Sequence, residues 1–516
     1  MSASVLVVLA VVIPLLGAAV LALLGPLPNR REAVTFVTAG ALCAVVVALA
    51  GDVFGGERPE VTLFELLPGL SLTLSVEPLG MLFGLVASTL WIVNSVYSVG
   101  YMRANHEPRQ TQFYVCFAVA LASTMGVAFA GNLFTLFIFY EILTLTTYPL
   151  VAHHGDEEAK AGARRYLTIL LGTSIALFLP AIIWTYVTAG TLDFRPGGIL
   201  AGNAGATETA LLLALFAFGI GKAALMPFHK WLPSAMVAPT PVSALLHAVA
   251  VVKAGVFTVL KVVVYIFGPE HLLATGASQW LVYLASFTLL ASSVIALTRT
   301  NLKARLAYST VSQLSYVILG AALATPLALV GAAMHIVMHA AGKITLFFCA
   351  GAIYTAHHKT EINQLDGIGK LMPFTMAAFF VGALSVTGLP PLAGTWSKVY
   401  LALGGLEAGH LFVVAVLMLS SLLNVAYLMP IVGRAFFPLH PRPREGSSVG
   451  SGESPGAGSP QSSSSPAERA EAPWLCVAPL CITATLCVVL FFFADELVAV
   501  LSEAFAAPAS TSGKGG

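Results

Sequence analysis

Apolar runs recur along most of this chain, and their lengths match the hydrocarbon core of a bilayer. A helix needs about 20 apolar residues to cross that layer, and the pattern predicts about fourteen such spans. They fall near 4–25, 33–52, 78–100, 112–130, 132–152, 163–188, 206–226, 242–267, 277–299, 304–324, 326–353, 371–403, 409–437 and 474–502. Two places depart from a simple span. The stretch 226–241 carries Pro227, Pro233, Pro239 and Pro241, and reads as an interrupted extension of the seventh span. The region 371–403 is longer than one crossing and is broken by Pro390 and Pro391. From Pro438 to Pro473 the pattern stops. That stretch is rich in Pro, Gly and Ser, has almost nothing to bury, and reads as a flexible linker to the last span. The expected fold is an all-α polytopic membrane protein.

Basic residues test this division independently. Counting the loop after the first span as loop 1, odd loops hold Arg30 and Arg31; Arg103 and Arg109; Lys160, Arg164 and Arg165; Lys230; Arg299, Lys303 and Arg305; Lys359 and Lys370; and Arg442, Arg444 and Arg469. Even loops and the C-terminal tail hold only Arg58, Arg195 and Lys514. The alternation predicts odd loops in the cytoplasm and both termini outside. Composition agrees with a membrane chain: 9% of residues are charged, against about a quarter in soluble domains. The run Val5–Leu24 lacks a basic flank and a small-residue cleavage site, and reads as a retained helix. A net charge of +1 gives no electrostatic case for nucleic acid. The six cysteines lie inside apolar segments with no CxxC pattern, so packing is their expected role. Any redox centre would belong to other subunits, and no cofactor is expected on this chain.

Charges inside the spans carry the chemistry. Lys222, Lys253, Lys261, Lys343, Lys398 and Arg434 lie within or at the ends of spans, and Glu141 sits in FIFYEILTLTTYPL. A charge at the bilayer centre costs about 2.5–3.5 kcal/mol even on lenient scales, so such a residue is expected to face a protein interior or wet cavity. Lys261 and Arg434, near span ends, are expected to snorkel. A buried Lys loses its charge readily, and an approaching carboxylate restores it. Histidine relays protons near neutral pH. Lys222, His229, His247, Lys253, His335, His339, Lys343 and Lys398 supply such a series. His335 and His339 stand one helical turn apart, but no third metal ligand is evident and MHIVMH lacks the Glu of HExxH, so a hydrated relay is expected and no metal. Breaks beside Lys222 and Lys398 fit an ion pathway, where freed backbone groups face a cavity. Lys398 is expected to take a proton from the His335–His339–Lys343 relay and pass it on; the alternative is that it only satisfies carbonyls freed at Pro390 and Pro391.

These motifs together carry a resemblance. Glu141 in its aromatic setting, Lys222 in GIGKAALMPFHKWLPSAMVAPTPVSALLHAVAVVKAGVF, and GLPPLAGTWSK resemble the antiporter-like subunits shared by complex I and multisubunit Mrp cation/proton antiporters. SALLHAVAVVKAGVF and YPLVAHHG are most similar to the D-type component of Mrp antiporters. The resemblance implies fourteen helices, with helices four to eight and nine to thirteen forming two inverted five-helix repeats whose helices seven and twelve are broken. The chain would then divide at 1–110, 111–268, 269–437, 438–473 and 474–516. It implies that Glu141 pairs with Lys222, that Lys253 is the central lysine and that Lys398 sits at an exit. His335, His339 and Lys343 would lie on the relay of helix eleven, and His247 on helix eight. Relatives often have Ser where this chain has Lys230, and Asp just before the Leu-Lys that is here Leu302-Lys303. With His229, Lys230 and Lys303 become candidates for proton input or support. The implied activity is exchange of Na+ or another monovalent cation for protons, beside other membrane subunits in the cytoplasmic membrane. A redox-driven proton pump and an inorganic-carbon uptake complex are the alternatives.

Overall fold

The computed structural model describes residues 2–25, 27–67, 70–437 and 471–505. The linker expected at 438–473 lies almost wholly outside these residues. Twelve helices among them are long and apolar enough to cross a membrane. They are α1 (Ala3–Leu23), α2 (Pro28–Phe54), α3 (Pro78–Ala104), α4 (Gln110–Ala128), α5 (Leu133–Val151), α6 (Glu157–Ala189), α8 (Thr240–Phe267), α9 (Gln279–Thr298), α10 (Leu302–Leu323), α11 (Pro326–His357), α14 (Leu411–Phe436) and α15 (Trp474–Phe492). The two remaining expected spans fall on shorter apolar helices, α7 (Ala206–Gly219) and α12 (Pro373–Thr387). Each of these two runs into a break and then resumes.

After α7 the chain forms a tight turn, Gly221–Ala223, and short helical pieces up to Val237. After α12 it turns at Gly388, which has φ +86°, passes Pro390 and Pro391, and resumes as α13 (Gly394–Glu407). Close backbone approach dictates two glycines here. A Cβ on Gly255 of α8 would stand 2.4 Å from the Lys222 carbonyl carbon, and one on Gly394 would stand 1.9 Å from the Ser385 oxygen. The breaks are therefore held against their neighbours rather than left loose.

Two features depart from the expected all-helical run. Glu60–Leu67 (β1) and Leu70–Ser75 (β2) pair as an antiparallel hairpin in the second loop. It docks on the start of α5, where Thr135 Oγ1 accepts from the Thr73 amide at 2.9 Å and Asn132 Nδ2 donates to the Ser71 carbonyl at 2.9 Å. The last expected span, 474–502, is not one helix: it ends at Phe492, and a second helix, α16 (Ala494–Phe505), follows.

Burial sorts the helices. The apolar windows of α8 and α11 are wholly enclosed, whereas about a third of those in α6, α14 and α15 is buried. A helix that is apolar all round belongs in the interior. Those two enclosed helices carry Lys253, His247, His335, His339 and Lys343. Loops 2, 4 and 6 meet on one face through bridges Leu74–Ala130 and Asn132–Asp193, while loops 9 and 11 meet through Asn301–Glu361.

Candidate functional site

Lys222 stands on the turn that ends α7, with none of its surface exposed. Its ammonium donates to the Tyr140 carbonyl (2.9 Å) and Thr144 Oγ1 (2.5 Å), and lies 3.1 Å from the centre of the Tyr140 ring. The expected contact with Glu141 is absent. Both Glu141 oxygens are buried and have no hydrogen-bond partner among the described residues. The physical reason is that α5 itself offers the lysine a carbonyl and a hydroxyl, so the ammonium is satisfied without the carboxylate. Glu141 is left as an unpaired acceptor on the same helix.

A second group begins at Lys253. The π-helical turn Leu245–Val249 precedes it on α8, and such turns are frequent at functional sites. Lys253 Nζ lies 2.5 Å from His339 Nδ1 on α11. The His339 ring stacks on His335, with centroids 5.6 Å apart. His335 Nδ1 meets Ser397 Oγ of α13 at 2.9 Å and the ring stacks on Tyr316 at 5.1 Å. Lys398 follows directly: its ammonium lies 4.8 Å from the Tyr316 ring centre and donates to Thr387 O (2.7 Å) and Ser421 Oγ (3.1 Å). Lys253, His339, His335 and Ser397 thus form one line of contacts ending beside Lys398.

Lys343 is not part of that line. It turns to α10, donating to Leu306 O (3.3 Å) and Ser309 Oγ (2.5 Å), and Ser309 continues to the Tyr427 hydroxyl at 2.7 Å. The contacts that reach Lys398 therefore run from Lys253 through the two histidines, and Lys343 lies off that line. His247 packs its ring on Phe347 at 4.5 Å, and neither ring nitrogen has a polar partner among the described residues. No hydrogen bond among the described residues links Lys222 to Lys253.

Lys261 corrects the sequence reading outright. It does not snorkel: it is fully buried and pairs with Glu77 Oε1 at 2.8 Å. Arg434 keeps a third of its side chain exposed and stands 3.6 Å from Asp366.

On the face of the odd loops, a cavity of about 360 Å3 is lined by Tyr101, Glu107, His154, Lys303 and Thr240. Lys303 Nζ donates to the Ala238 carbonyl at 2.6 Å. His229 is buried near Tyr308, and the exposed Lys230 lines a separate cavity of about 560 Å3. All three input candidates therefore lie on this face. Sequence reasoning missed Glu107, which faces His153 at 3.6 Å and His154 at 3.4 Å.

His154 Nδ1 meets the Val237 carbonyl at 3.1 Å. A carbonyl accepts, so Nδ1 carries a proton, and Nε2 needs a second one to donate to Glu107. That hydrogen bond raises the His154 pKa above the ordinary histidine value, whereas burial lowers that of His153. A raised folded-state value means the charged pair stabilises the fold below the ordinary range, and its contribution is lost as pH rises through the folded value. His154 is 36% exposed, so screening holds the effect to a few tenths of a kcal/mol, roughly. His154→Gln is expected to lower the apparent Tm in detergent at about pH 5.5 and to change it little at about pH 9. An equal loss at both pH values would mean that the contact is uncharged.

The family described as "NADH:quinone oxidoreductase/Mrp antiporter, TM" matches residues 130–424, more than half of the chain and all of the line from Lys253 to Lys398. The chain belongs to this family. It is 35% identical over 446 residues to NADH-quinone oxidoreductase subunit N of Desulforudis audaxviator, covering 84% of this chain and 87% of that relative. It is also 35% identical over 337 residues to the A/B component of a probable K(+)/H(+) antiporter of Rhizobium meliloti, covering 64% of this chain and only 32% of that longer protein. A chain in the Mrp complex from Dietzia sp. DQ12-45-1b shares the fold, with a TM-score of 0.83, 24% identity, and coverage of 98% of this chain and 97% of that one. The chain is a multi-pass membrane protein, and its relatives are subunits of larger membrane complexes.

Proposed function

We propose that this chain is the proton-translocating subunit of a hetero-oligomeric monovalent cation/proton antiporter, with Na+ as the cation to test first. The observation that carries this reading is the line Lys253–His339–His335–Ser397–Lys398, enclosed in the core and made only of groups that can hold or pass a proton. Lys253 and His339 compete for one proton across a short contact, and each hand-over changes the charge that its neighbours meet. Glu141 and Lys222 form a separate loading station nearer the first break. A carboxylate that approaches the ammonium favours the charged lysine, and one that withdraws favours its discharge. The odd loops lie on the cytoplasmic side of the cell membrane in this reading, with the Glu107 cavity as the mouth. The likeness of SALLHAVAVVKAGVF to the D-type Mrp component favours the antiporter form.

One observation favours a second reading, a proton pump driven by redox chemistry on partner subunits. One relative matched over most of both chains is named as a quinone oxidoreductase subunit. Membrane vesicles containing the intact complex and a pH-sensitive dye separate the two. A pulse of Na+ or K+ is expected to move protons without any electron donor. Proton movement that requires electron-donor oxidation, with iron–sulfur subunits co-purifying, would give the function to the second reading.

A further inference from the structure

The polar groups on α8 do not end at Lys253. Lys261 lies two turns further along the same face, about 12 Å on at the rise of an α-helix. It is fully buried, pairs with Glu77 Oε1 at 2.8 Å, and donates to the Ala130 carbonyl at 2.7 Å. Glu77 precedes α3, and its side chain is 15% exposed. It lines a cavity of about 330 Å3 together with Arg58, Ser75, Phe194 and Tyr265. These residues belong to the even-loop face, opposite the Glu107 mouth. Beside the Arg58 guanidinium and the Glu77 carboxylate, a cavity of that size has room for several waters, since one water occupies about 30 Å3 of liquid.

Between Lys253 and Lys261, one turn from each, stands Phe257. Its ring packs on Phe83 of α3 with centroids 4.9 Å apart, and both side chains are buried. The Lys261 ammonium looks onto the same ring at 5.5 Å. Two aromatic rings thus separate the central lysine from an ion pair that borders a cavity. A buried ion pair contributes little net stability, because desolvation offsets the attraction. Stability alone is therefore a poor account of it.

We propose that Glu77, held by Lys261, is a proton-release site on the even-loop face, closed off from Lys253 by the Phe83–Phe257 plug. The proposal rests on the reading of Lys253 as a proton carrier. When the rings part, water reaches Lys253, and a proton leaves its ammonium. It crosses the wetted gap and binds the Glu77 carboxylate. Lys261 stays charged throughout. Protonating Glu77 strips Lys261 of its counter-charge, so the carboxyl is driven to discharge into the cavity, and the pair re-forms.

The test uses vesicles holding the whole complex, with assembly checked on native gels and an imposed pH gradient followed by dye in the absence of Na+ and K+. Phe257→Ala is expected to dissipate the gradient about a hundredfold faster than wild type, the lower end of what one positioned proton-transfer group contributes. Phe83→Ala removes the other ring from a different helix and is expected to leak as well, which covers the case where one variant fails to assemble. Adding Glu77→Gln to either is expected to close the leak. Plug variants that hold the gradient as wild type does, or leak equally with Gln at position 77, would overturn the release site. Lys253→Met, measured for cation-driven transport, keeps the two readings apart. If it is inactive while the plug variants stay tight, only the release site falls; if it transports normally, the carrier role of Lys253 falls and the release site with it.

Discussion

Lys222→Ala and Glu141→Ala are each expected to cut transport by about a hundredfold or more, within the range that a positioned proton-transfer group supplies, while the complex still assembles. The ammonium of Lys222 is satisfied by Tyr140 O and Thr144 Oγ1, not by Glu141. Removing Glu141 therefore leaves no unmet donor, so folding is expected to survive. What disappears is the one nearby acid that can recharge Lys222. Removing Lys222 takes away the cation that Glu141 would recharge, so the carboxyl, which has no hydrogen-bond partner among the described residues, has nothing left to load. A structural ion pair would behave otherwise, since breaking it strands a charge and costs assembly. Native gels and vesicle transport, read together, check both parts. Normal transport by either variant would take the pair out of the mechanism.

The sequence made the membrane architecture readable because the bilayer constrains it so narrowly. Span length and apolarity follow from the cost of placing polar groups in hydrocarbon. The breaks after α7 and α12 were visible for a similar reason, since Pro227, Pro390 and Pro391 cannot continue a helix. Individual buried lysines stood out because each is expensive. Their partners did not. Lys253 meets His339 from 86 residues away, and Lys222 meets Thr144 from 78 residues away. Neutral Ser, Thr and Tyr side chains such as Ser397, Ser309 and Tyr316 are ordinary in buried helices, and nothing local marks them as part of a path.

Lys261 shows how position misleads. Near a span end, a lysine reads as one that reaches for the interface. Here the hairpin and the loops around Ala130 and Phe194 cover that end, so water is replaced by Glu77 and a carbonyl. The hairpin itself has a sequence signal, the alternation in LSLTLS at 70–75. Beside long apolar runs, so short an alternation carries little weight. The Glu107–His153–His154 cluster had a weaker signal still, because its acid and its two imidazoles lie in different loops.

Lys398 is where the carrier and the structural role predict opposite outcomes. Its ammonium donates to Thr387 O at 2.7 Å, a carbonyl at the end of α12 that the break leaves without a helical partner. That contact fits a lysine that merely satisfies the freed backbone. Its other surroundings fit a carrier: Ser421 Oγ lies at 3.1 Å, Tyr316 is shared with His335, and the preceding residue, Ser397, holds His335 Nδ1. A glutamine at 398 keeps an N–H donor for Thr387 but cannot hold a proton. Lys398→Gln is therefore expected to assemble normally and to lose transport by about a hundredfold, in line with the loss of a proton-transfer group. Lys398→Glu titrates and is expected to keep part of the activity, although its ionised form offers Thr387 no donor. Lys398→Met supplies neither function; it is expected to be inactive and to destabilise the complex by about 1–3 kcal/mol, the cost of an orphaned buried carbonyl. Transport per assembled complex in the three variants decides the matter. Full activity with Gln would reduce Lys398 to a backbone donor, and the line from Lys253 would then have to end at Ser397.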